Sequence, residues 1–575
     1  MTAAAAPSAV RPWRRRDALM IAPALTLALC FLPIAAGLIG TVLPAFGWLP
    51  ALHAEEFGIS HWRLLLAAPE LPASLRLTVI SGGLATFATF AIAVLFCAAL
   101  HNSSGFRRMQ SWLTPLLAVP HAAMAIGLAF LLSPSGWFLR LLSPWATGSA
   151  LPPAYGIVND PGGMGLTIGL LVKELPYLLF MILAALSQIH ADRYLAAARS
   201  LGYGPMAAWF KVILPQLYPL IRLPVFAVLA YSLSVVDMAL LLGPSTPPPF
   251  AVLILRWFND PDLTMRLVAA AAALLHLGVV AAAILLWMLG EQICRRLFRA
   301  WLTSGRRGSH AAIWQQLGGL PGRIIFLMSA AALLALILWT FSARWPFPDA
   351  LPRAWTPDNW RHQAMALGQP LATSLTVGLA TTLVALALTL GCLENEQRRG
   401  LHPTQRLLWL LYLPLLLPQI SFLFGFQVQL VWLGADGGWL AVAWSHLLFV
   451  LPYVFLSLED PYRALDERYA RSALCLGASP PRVFWRVKLP LLRRPVATAA
   501  AIGFAVSVAQ YLPTLFAGGG RWPTLTTEAV ALAATADRRV IAVAAVLQTL
   551  LPLLAFAAVA LWAPAKARRR PQWPR

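Results

Sequence analysis

Apolar stretches of about 20 residues or more recur along the chain, and Arg, Pro and Gly collect in the gaps between them. A stretch of that length crosses the roughly 30 Å hydrocarbon core as a helix, because only a helix satisfies its own backbone groups in lipid. The pattern predicts twelve spans, at about 18–41, 75–100, 112–133, 164–188, 217–242, 265–290, 322–342, 372–393, 407–433, 438–460, 492–516 and 540–563. The expected fold class is all-α, a polytopic membrane protein. The first apolar stretch is too long for a signal-peptide core and carries no small-residue cleavage site, so it reads as a retained span.

Composition agrees. Of the 575 residues, 59% are hydrophobic and 11% charged, where a soluble domain carries roughly 25% charged residues. The net charge of +22 would suggest nucleic acid in a soluble protein. Here the cations fall between spans: Arg14–Arg16, Arg107–Arg108, Arg193, Arg199, Lys211, Arg295–Arg296, Arg306–Arg307, Arg398–Arg399, Arg468, Arg471, Arg482, Arg486, Lys488 and Arg568–Arg570 all belong to one set of alternate gaps. Under the positive-inside rule those gaps and both termini face the cytoplasm, so the partner is the lipid bilayer and no nucleic acid is implied. The opposite gaps are long and rich in Pro and Trp, which suits the membrane interface and offers an extracytoplasmic docking surface. Cys30, Cys97, Cys294, Cys392 and Cys475 show no metal-ligand or disulfide spacing, and neither a metal nor a cofactor is expected.

The chain repeats itself. At one constant offset, Asp192, Arg193 and Tyr194 align with Glu467, Arg468 and Tyr469, Ala198 with Ala473, Leu201-Gly202 with Leu476-Gly477, Pro205 with Pro480, and Leu214-Pro215 with Leu489-Pro490. With small slips the match extends outward: Pro120 and Gly127 answer Pro418 and Gly425, "LPY" recurs at Leu175 and Leu451, and "SVVDM" from Ser234 answers "SVAQY" from Ser507. Two domains are expected, 1–300 and 301–575. Six spans in each return the chain to its starting side, which makes the repeats parallel.

The best-matched segments, 189–215 and 464–490, follow the fourth span of each half on the cytoplasmic side. In each, a short helix is expected to end at a glycine in the left-handed conformation, Gly202 or Gly477. A second helix starts at Pro205 or at Ser479-Pro480, with Ser479 as N-cap and Pro480 at the first helical position. The closing Leu214-Pro215 and Leu489-Pro490 are expected to stop it before the next span, leaving a helix-turn-helix bracket parallel to the membrane. A-A-x-x-x-G, nine residues, then I/V-x-L-P resembles the cytoplasmic EAA loop of type I ABC importer permeases, present twice. The likeness runs through nearly the whole chain and is strongest to fused two-domain permeases of the thiamine and ferric-iron type. It implies a bacterial inner-membrane location, two copies of a cytoplasmic ABC ATPase at the brackets, and a periplasmic substrate-binding protein delivering a small molecule or ion. Ala196, Ala197, Ala198, Gly202, Pro205, Leu214 and Pro215, and Arg471, Ala473, Gly477, Pro480, Leu489 and Pro490, are the implied coupling residues. The pattern departs at the leading glutamate, which is Ala196 in one copy and Arg471 in the other; Asp192 and Glu467, one helical turn earlier, are the expected substitutes.

The chain holds no engine of its own. None of Lys173, Lys211, Lys488 and Lys566 follows a glycine, so the G-x-x-x-x-G-K-[ST] phosphate loop is missing, and no catalytic constellation replaces it: the chain is not expected to be an enzyme. Polar groups inside spans are costly and face cavities or partners. Ser234 and Asp237, with Ser507 and Gln510 as their repeat counterparts, are the first candidates for a translocation path. Lys173 and Glu174 are further candidates, with a structural bond between helices as the equal alternative, and His121, Ser421, Gln427 and Gln429 follow. Pro115, Pro120, Pro414 and Pro418 are expected to bend the third span of each half. A gradient-driven carrier with six plus six parallel spans is the competing reading, although it gives no reason for matched brackets; a membrane-embedded enzyme or scaffold is a third.

Overall fold

The computed structural model describes residues 18–562 apart from 102, 104–105, 107–109, 111–112, 114, 155, 309–311, 402–410, 412 and 536, with backbone alone at 312–316 and 535. Arg14–Arg16, Arg107–Arg108, Lys566, Arg568–Arg570 and the start of the ninth expected span lie outside the described residues.

The first half comprises α1 (Ile21–Ala45), α2 (Ser60–Ala67), α3 (Leu71–Leu100), α4 (His121–Leu132), α5 (Trp137–Leu142), α6 (Met164–Gln188), α7 (Ala191–Ser200), α8 (Pro205–Ser234), α9 (Asp237–Leu242), α10 (Phe250–Phe258) and α11 (Met265–Thr303). The second comprises α12 (Ala312–Thr340), the hairpin β1 (Ser342–Arg344) and β2 (Ala354–Trp355), α13 (Asp358–Ala366), α14 (Gly368–Arg399), α15 (Ile420–Trp432), α16 (Trp439–Arg463), α17 (Glu467–Cys475), α18 (Pro480–Leu491), α19 (Arg493–Val508), α20 (Leu512–Gly518), α21 (Leu525–Thr535) and α22 (Arg538–Trp562). Among the described residues ten helices are long and apolar enough to cross a membrane, and α18 with α19, bent by 77°, makes an eleventh. The protein is a polytopic all-α membrane protein. The described part of the ninth expected span is α15.

The order of elements repeats, with α3, α4, α6, α7, α8 and α9 answered by α14, α15, α16, α17, α18–α19 and α20. The expected proline bends are outright breaks. The helix stops at Val119-Pro120, where Pro120 is extended at φ −61° and ψ 150°, and at Leu417-Pro418 in the second half.

The first span of each half packs on the other half. Helix α1 lies on α15 so closely that a Cβ on Gly425 would stand 2.0 Å from the Gly37 carbonyl oxygen and 2.6 Å from the Gly40 carbonyl carbon. Ser421 donates to the Ala273 carbonyl (2.9 Å), tying α15 to α11. Helix α12 repeats the arrangement on α4, where a Cβ on Gly127 would stand 2.9 Å from the Ala332 oxygen. Small residues let backbones meet where lipid provides no hydrophobic drive for association.

Both ends of the bundle are tied across the halves. At one end Thr26, near the start of α1, meets Cys392 near the end of α14 (3.2 Å), and Ala99 near the end of α3 faces Gly318 near the start of α12. The ends of α3 and α14 therefore share one face of the molecule. At the opposite end Arg140 stacks over Trp345 and Trp339 and donates to the Pro346 carbonyl (2.7 Å), while Arg538 stacks over Trp339 and Phe130 and donates to the Ser135 carbonyl (3.1 Å). Beside them the Asp537 carboxyl is held below the usual carboxylate range, chiefly by its hydrogen bond from Arg539.

Candidate functional site

The glycine turns of the two brackets have one geometry. In the first, Gly202 has φ +82°, its N–H donates to the Arg199 carbonyl (2.9 Å), and Tyr203 N–H donates to Ala198 (3.1 Å). In the second, Gly477 has φ +84°, its N–H donates to Leu474 (3.0 Å), and Ala478 N–H donates to Ala473 (3.1 Å). Each pair of bonds is a Schellman cap, which satisfies two carbonyls at the helix end and needs the left-handed conformation that glycine adopts without strain. Pro205 and Pro480 open the second helices, the latter behind Ser479 at the N-cap.

The Leu-Pro pairs do not stop these helices. Trp209–Ile213 and Phe484–Lys488 form matching π turns immediately before Leu214-Pro215 and Leu489-Pro490. The widened turn shifts the hydrogen-bond register, so the proline's missing N–H and its ring are accommodated where an unbroken α-helix would clash. Helix α8 runs on through Pro215 into the fifth span, whereas in the second half the chain turns only at Leu492. The first bracket is thus continuous with its span and the second lies across it.

Both brackets sit at the same end of the bundle, on the ends of α3 and α14, but they are fastened differently. In the first, Asp192 bonds His101 just past α3 (3.0 Å). Lys211 donates to the carbonyls of Ser304 (2.7 Å) and Arg306 (3.0 Å), which lie in the segment joining the halves. In the second, the Lys488 ammonium is buried against Glu394 (2.6 Å) and Gln397 (2.8 Å) of α14, and Glu394 also receives Arg398 (2.6 Å) and the Tyr462 hydroxyl. Glu467 pairs with Arg471 on its own helix. Ala196 and Ala197 are exposed on α7 while Ala198 is buried.

In both halves the fifth span breaks at the repeated S-x-x-[DQ] element. Helix α8 ends at Ser234 and α9 begins at Asp237; α19 ends at Val508 and α20 begins at Leu512, with Gln510 in the gap. Ser234 donates to its own helix at Ala230 (2.6 Å). Ser507 is taken up by His446, whose other ring nitrogen meets Thr514, each at 2.8 Å, and Thr514 donates to the Gln510 carbonyl (3.2 Å). That last bond leaves Thr514 to accept from Nε2–H, so Nδ1 accepts from Ser507. These two serines hold the break in shape. Asp237 is buried, with His121 and Lys173 in its electrostatic surroundings.

Lys173 and Glu174 part company, as neighbours about 100° apart on a helix should. Lys173 turns into the proline break and donates to the carbonyls of Val119 (2.5 Å), Leu116 (3.4 Å) and Leu117 (3.5 Å). Leu116 is the carbonyl that Pro120, lacking an N–H, cannot serve, and the break at Val119-Pro120 interrupts the helical pattern at Leu117 and Val119. Glu174 faces His121 of α4 (3.8 Å), whose ring lies 4.8 Å from that of Tyr231. Tyr177 and Tyr453, the two "LPY" tyrosines, share that neighbourhood, and Tyr511 lies near Asp237. Elements of both halves thus bring carboxylates, an imidazole and half-buried phenols together. Gln427 and Gln429 lie on α15.

The tyrosines were absent from the sequence-level candidates, although their recurrence in "LPY" was the available signal. The buried Glu394–Lys488 pair had none, since its partners are far apart in sequence and have no counterpart in the first half.

Comparison with known proteins follows the same division. Residues 404–569 match the model of the binding-protein-dependent transport system inner membrane component family. The chain is 36% identical over 516 residues to the inner membrane ABC transporter permease protein YnjC of Escherichia coli (strain K12), covering 89% of this chain and 92% of that protein. It is 29% identical over 224 residues to the molybdenum transport system permease protein ModB of Mycobacterium tuberculosis (strain ATCC 25618 / H37Rv), covering 36% of this chain and 77% of that protein. To the putative 2-aminoethylphosphonate transport system permease protein PhnV of Salmonella choleraesuis (strain SC-B67) it is 26% identical over 264 residues, which is 98% of that protein and 44% of this chain. A relative of that kind corresponds to a single half. With its repeated helices and bundle-end brackets, the chain belongs to the inner membrane components of binding-protein-dependent transport systems and is an ABC transporter permease.

Proposed function

We propose that this permease is the fused transmembrane subunit of an importer in the bacterial inner membrane, with both termini and both brackets cytoplasmic. Residues 1–300 and 301–575 act as its two repeats. Segments 189–215 and 464–490 are the grips for two copies of a cytoplasmic ABC ATPase. A periplasmic binding protein docks on the Pro- and Trp-rich opposite end and delivers a small solute. Closure of the ATPases drives the two brackets together, and differential binding between the two access states carries the cycle. The solute passes between the broken fifth spans, past Asp237, Gln510, Glu174 and the surrounding tyrosines.

One observation carries this reading: an identically capped glycine turn occurs twice at one end of the bundle, each time leaving an apolar side chain exposed. Leu201 is 64% exposed and Leu476 88% exposed, both directly before the capping glycine. It is the recurrence at the same place in both halves, and not the exposure of one leucine, that supports a partner at each turn. Asp192 and Glu467 are the nearest acids for the role of the missing glutamate, and their present partners, His101 and Arg471, would have to release them. Charge reversal at Glu467 is expected to weaken ATPase docking; docking and transport left intact would end that role.

The test is to isolate the tagged chain from membranes with and without Gly202→Asp and Gly477→Asp together. A P-loop ATPase is expected to accompany the parent chain and to be lost from the double variant, along with ATP-dependent solute uptake into vesicles. Uptake that persists in the double variant, or that follows an ion gradient without ATP, overturns the proposal in favour of a secondary carrier.

A further inference from the structure

The two brackets are not equivalent, and the difference lies in the segment that fuses the halves. After α11 the chain folds back over the first bracket. Gly204 N–H donates to the Arg307 carbonyl (2.8 Å), and the Lys211 ammonium gathers the Ser304 carbonyl, the Ser304 hydroxyl (3.2 Å) and the Arg306 carbonyl while lying over the rings of Trp301 (4.9 Å) and Tyr203 (5.6 Å). A Cβ on Gly308 would stand 2.7 Å from that of Ala207, and one on Gly202 would stand 3.2 Å from the guanidinium of Arg307. Among the described residues, the same construction at Gly477 meets nothing within 4 Å, and the linker covers the first bracket and not the second.

This contact is built in. It uses a backbone hydrogen bond, a lysine with three oxygen acceptors and two ring faces, and it holds one guanidinium over the capping glycine. Arg307 is exposed, and among the described residues no carboxylate pairs with it. By contrast Arg398, Arg463, Arg471 and Arg539 are each engaged by an acid of this chain. An exposed guanidinium set beside the capping glycine, with no anion on it among the described residues, is suited to a carboxylate on a partner, which it can bind in a bidentate fork.

We propose that the inter-half linker Ser304–Gly308 is part of the first bracket's partner surface, with Arg307 over Gly202 accepting a carboxylate of the ATPase subunit there, an interaction that the second bracket lacks. This rests on the reading of the brackets as ATPase grips. It makes the two ATPase positions unequal: beyond the contacts that the two brackets share, the first adds a salt-sensitive charge pair through Arg307.

The experiment uses the full chain in nanodiscs of zwitterionic lipid, with the P-loop ATPase that accompanies it stripped and re-added, and native mass spectrometry to count bound copies. Arg307→Gln and Arg307→Glu are compared with the parent, with Arg307→Lys and with Arg306→Ala. Arg307→Glu is expected to weaken binding of one of the two ATPases about tenfold or more at low salt. Arg307→Lys should retain most of the affinity, Arg306→Ala all of it, and the parent's salt dependence should shrink in the Gln variant because exposed charge pairs are screened. Two ATPases bound by Arg307→Glu with unchanged affinity and salt response would overturn the proposal, as would an effect seen only when the nanodisc contains anionic lipid, which would assign Arg307 to headgroups. Failure of the parent chain to bind any ATPase would instead remove the underlying reading of the brackets.

Discussion

Lys173 shows how far a single residue can be read. A cation in the middle of an apolar span is visible in the sequence, and so is the choice between transport and structure. Its acceptors are not, because they appear only once the chain breaks at Val119-Pro120 and turns Leu116, Leu117 and Val119 carbonyls toward α6. Leaving buried acceptors without donors costs about 1–3 kcal/mol each. Lys173→Met is therefore expected to destabilise the chain by about 3 kcal/mol or more, seen as a lowered unfolding temperature in detergent; an unchanged temperature would return Lys173 to the list of path residues. Asp237 behaves in the opposite way. Its carboxyl accepts from the backbone N–H groups of Asp237 and Met238 at the start of its own helix and stands at the break near Tyr231 and Tyr511; an amide oxygen can still accept there, so Asp237→Asn is expected to lower solute uptake more than tenfold while the unfolding temperature and the bound ATPase stay as in the parent. Loss of assembly in that variant would make the carboxylate structural.

Among the elements, the brackets were the most legible, because the capping signal is local: a glycine after a helical stretch, and a proline with or without a serine opening the next. Both copies adopt the left-handed glycine with the same two hydrogen bonds. A side chain at that conformation costs about 1–2 kcal/mol. Among the described residues nothing lies within 4 Å of a Cβ at Gly477, so Gly477→Val isolates the backbone strain from a clash with them. Faster hydrogen exchange across Glu467–Cys475, with α16 unaffected, is the expected result, and unchanged protection of α17 would mean the cap is dispensable. The Leu-Pro pairs misled for an equally local reason. Proline ends a helix that keeps α register, and nothing in "WFKVILP" or "FWRVKLP" announces a π turn that changes the register just before the proline.

For the whole molecule, the repeat was legible and its packing was not. Offset matching reveals two similar halves, yet it carries no information about α1 leaving its own half to lie on α15, or α12 lying on α4. The glycines aligned on the "Pro-seven-Gly" spacing turn out to be the places where the exchanged helices touch. Gly425→Leu places a branched side chain against the Gly37 and Gly40 backbone and is expected to detach α1 from the second half. The measurement is a disulfide trap: Thr26→Cys with the native Cys392, whose side chains now meet at 3.2 Å, should cross-link under mild oxidation in the parent background and lose that cross-link when Gly425→Leu is added. An undiminished yield would show that the exchanged helix is held by other contacts. The buried Glu394–Lys488 pair belongs to this scale too, since it fixes the second bracket to a span of its own half while the first bracket is fixed to the junction between halves.

The claim on which the account depends is that both glycine turns are gripped by an external motor. Cys475 is native, exposed and adjacent to the second turn, and Ser200, also exposed, holds the same place beside the first. With Cys294 replaced by serine, a short thiol-to-amine cross-linker applied to membranes carrying Ser200→Cys with Cys475→Ser and, separately, to membranes carrying the native Cys475 should join the permease to one and the same P-loop ATPase from either position, with a yield that changes when ATP is added. Cross-linking from neither position, or labelling of both thiols by an impermeant maleimide from the periplasmic side, would contradict it.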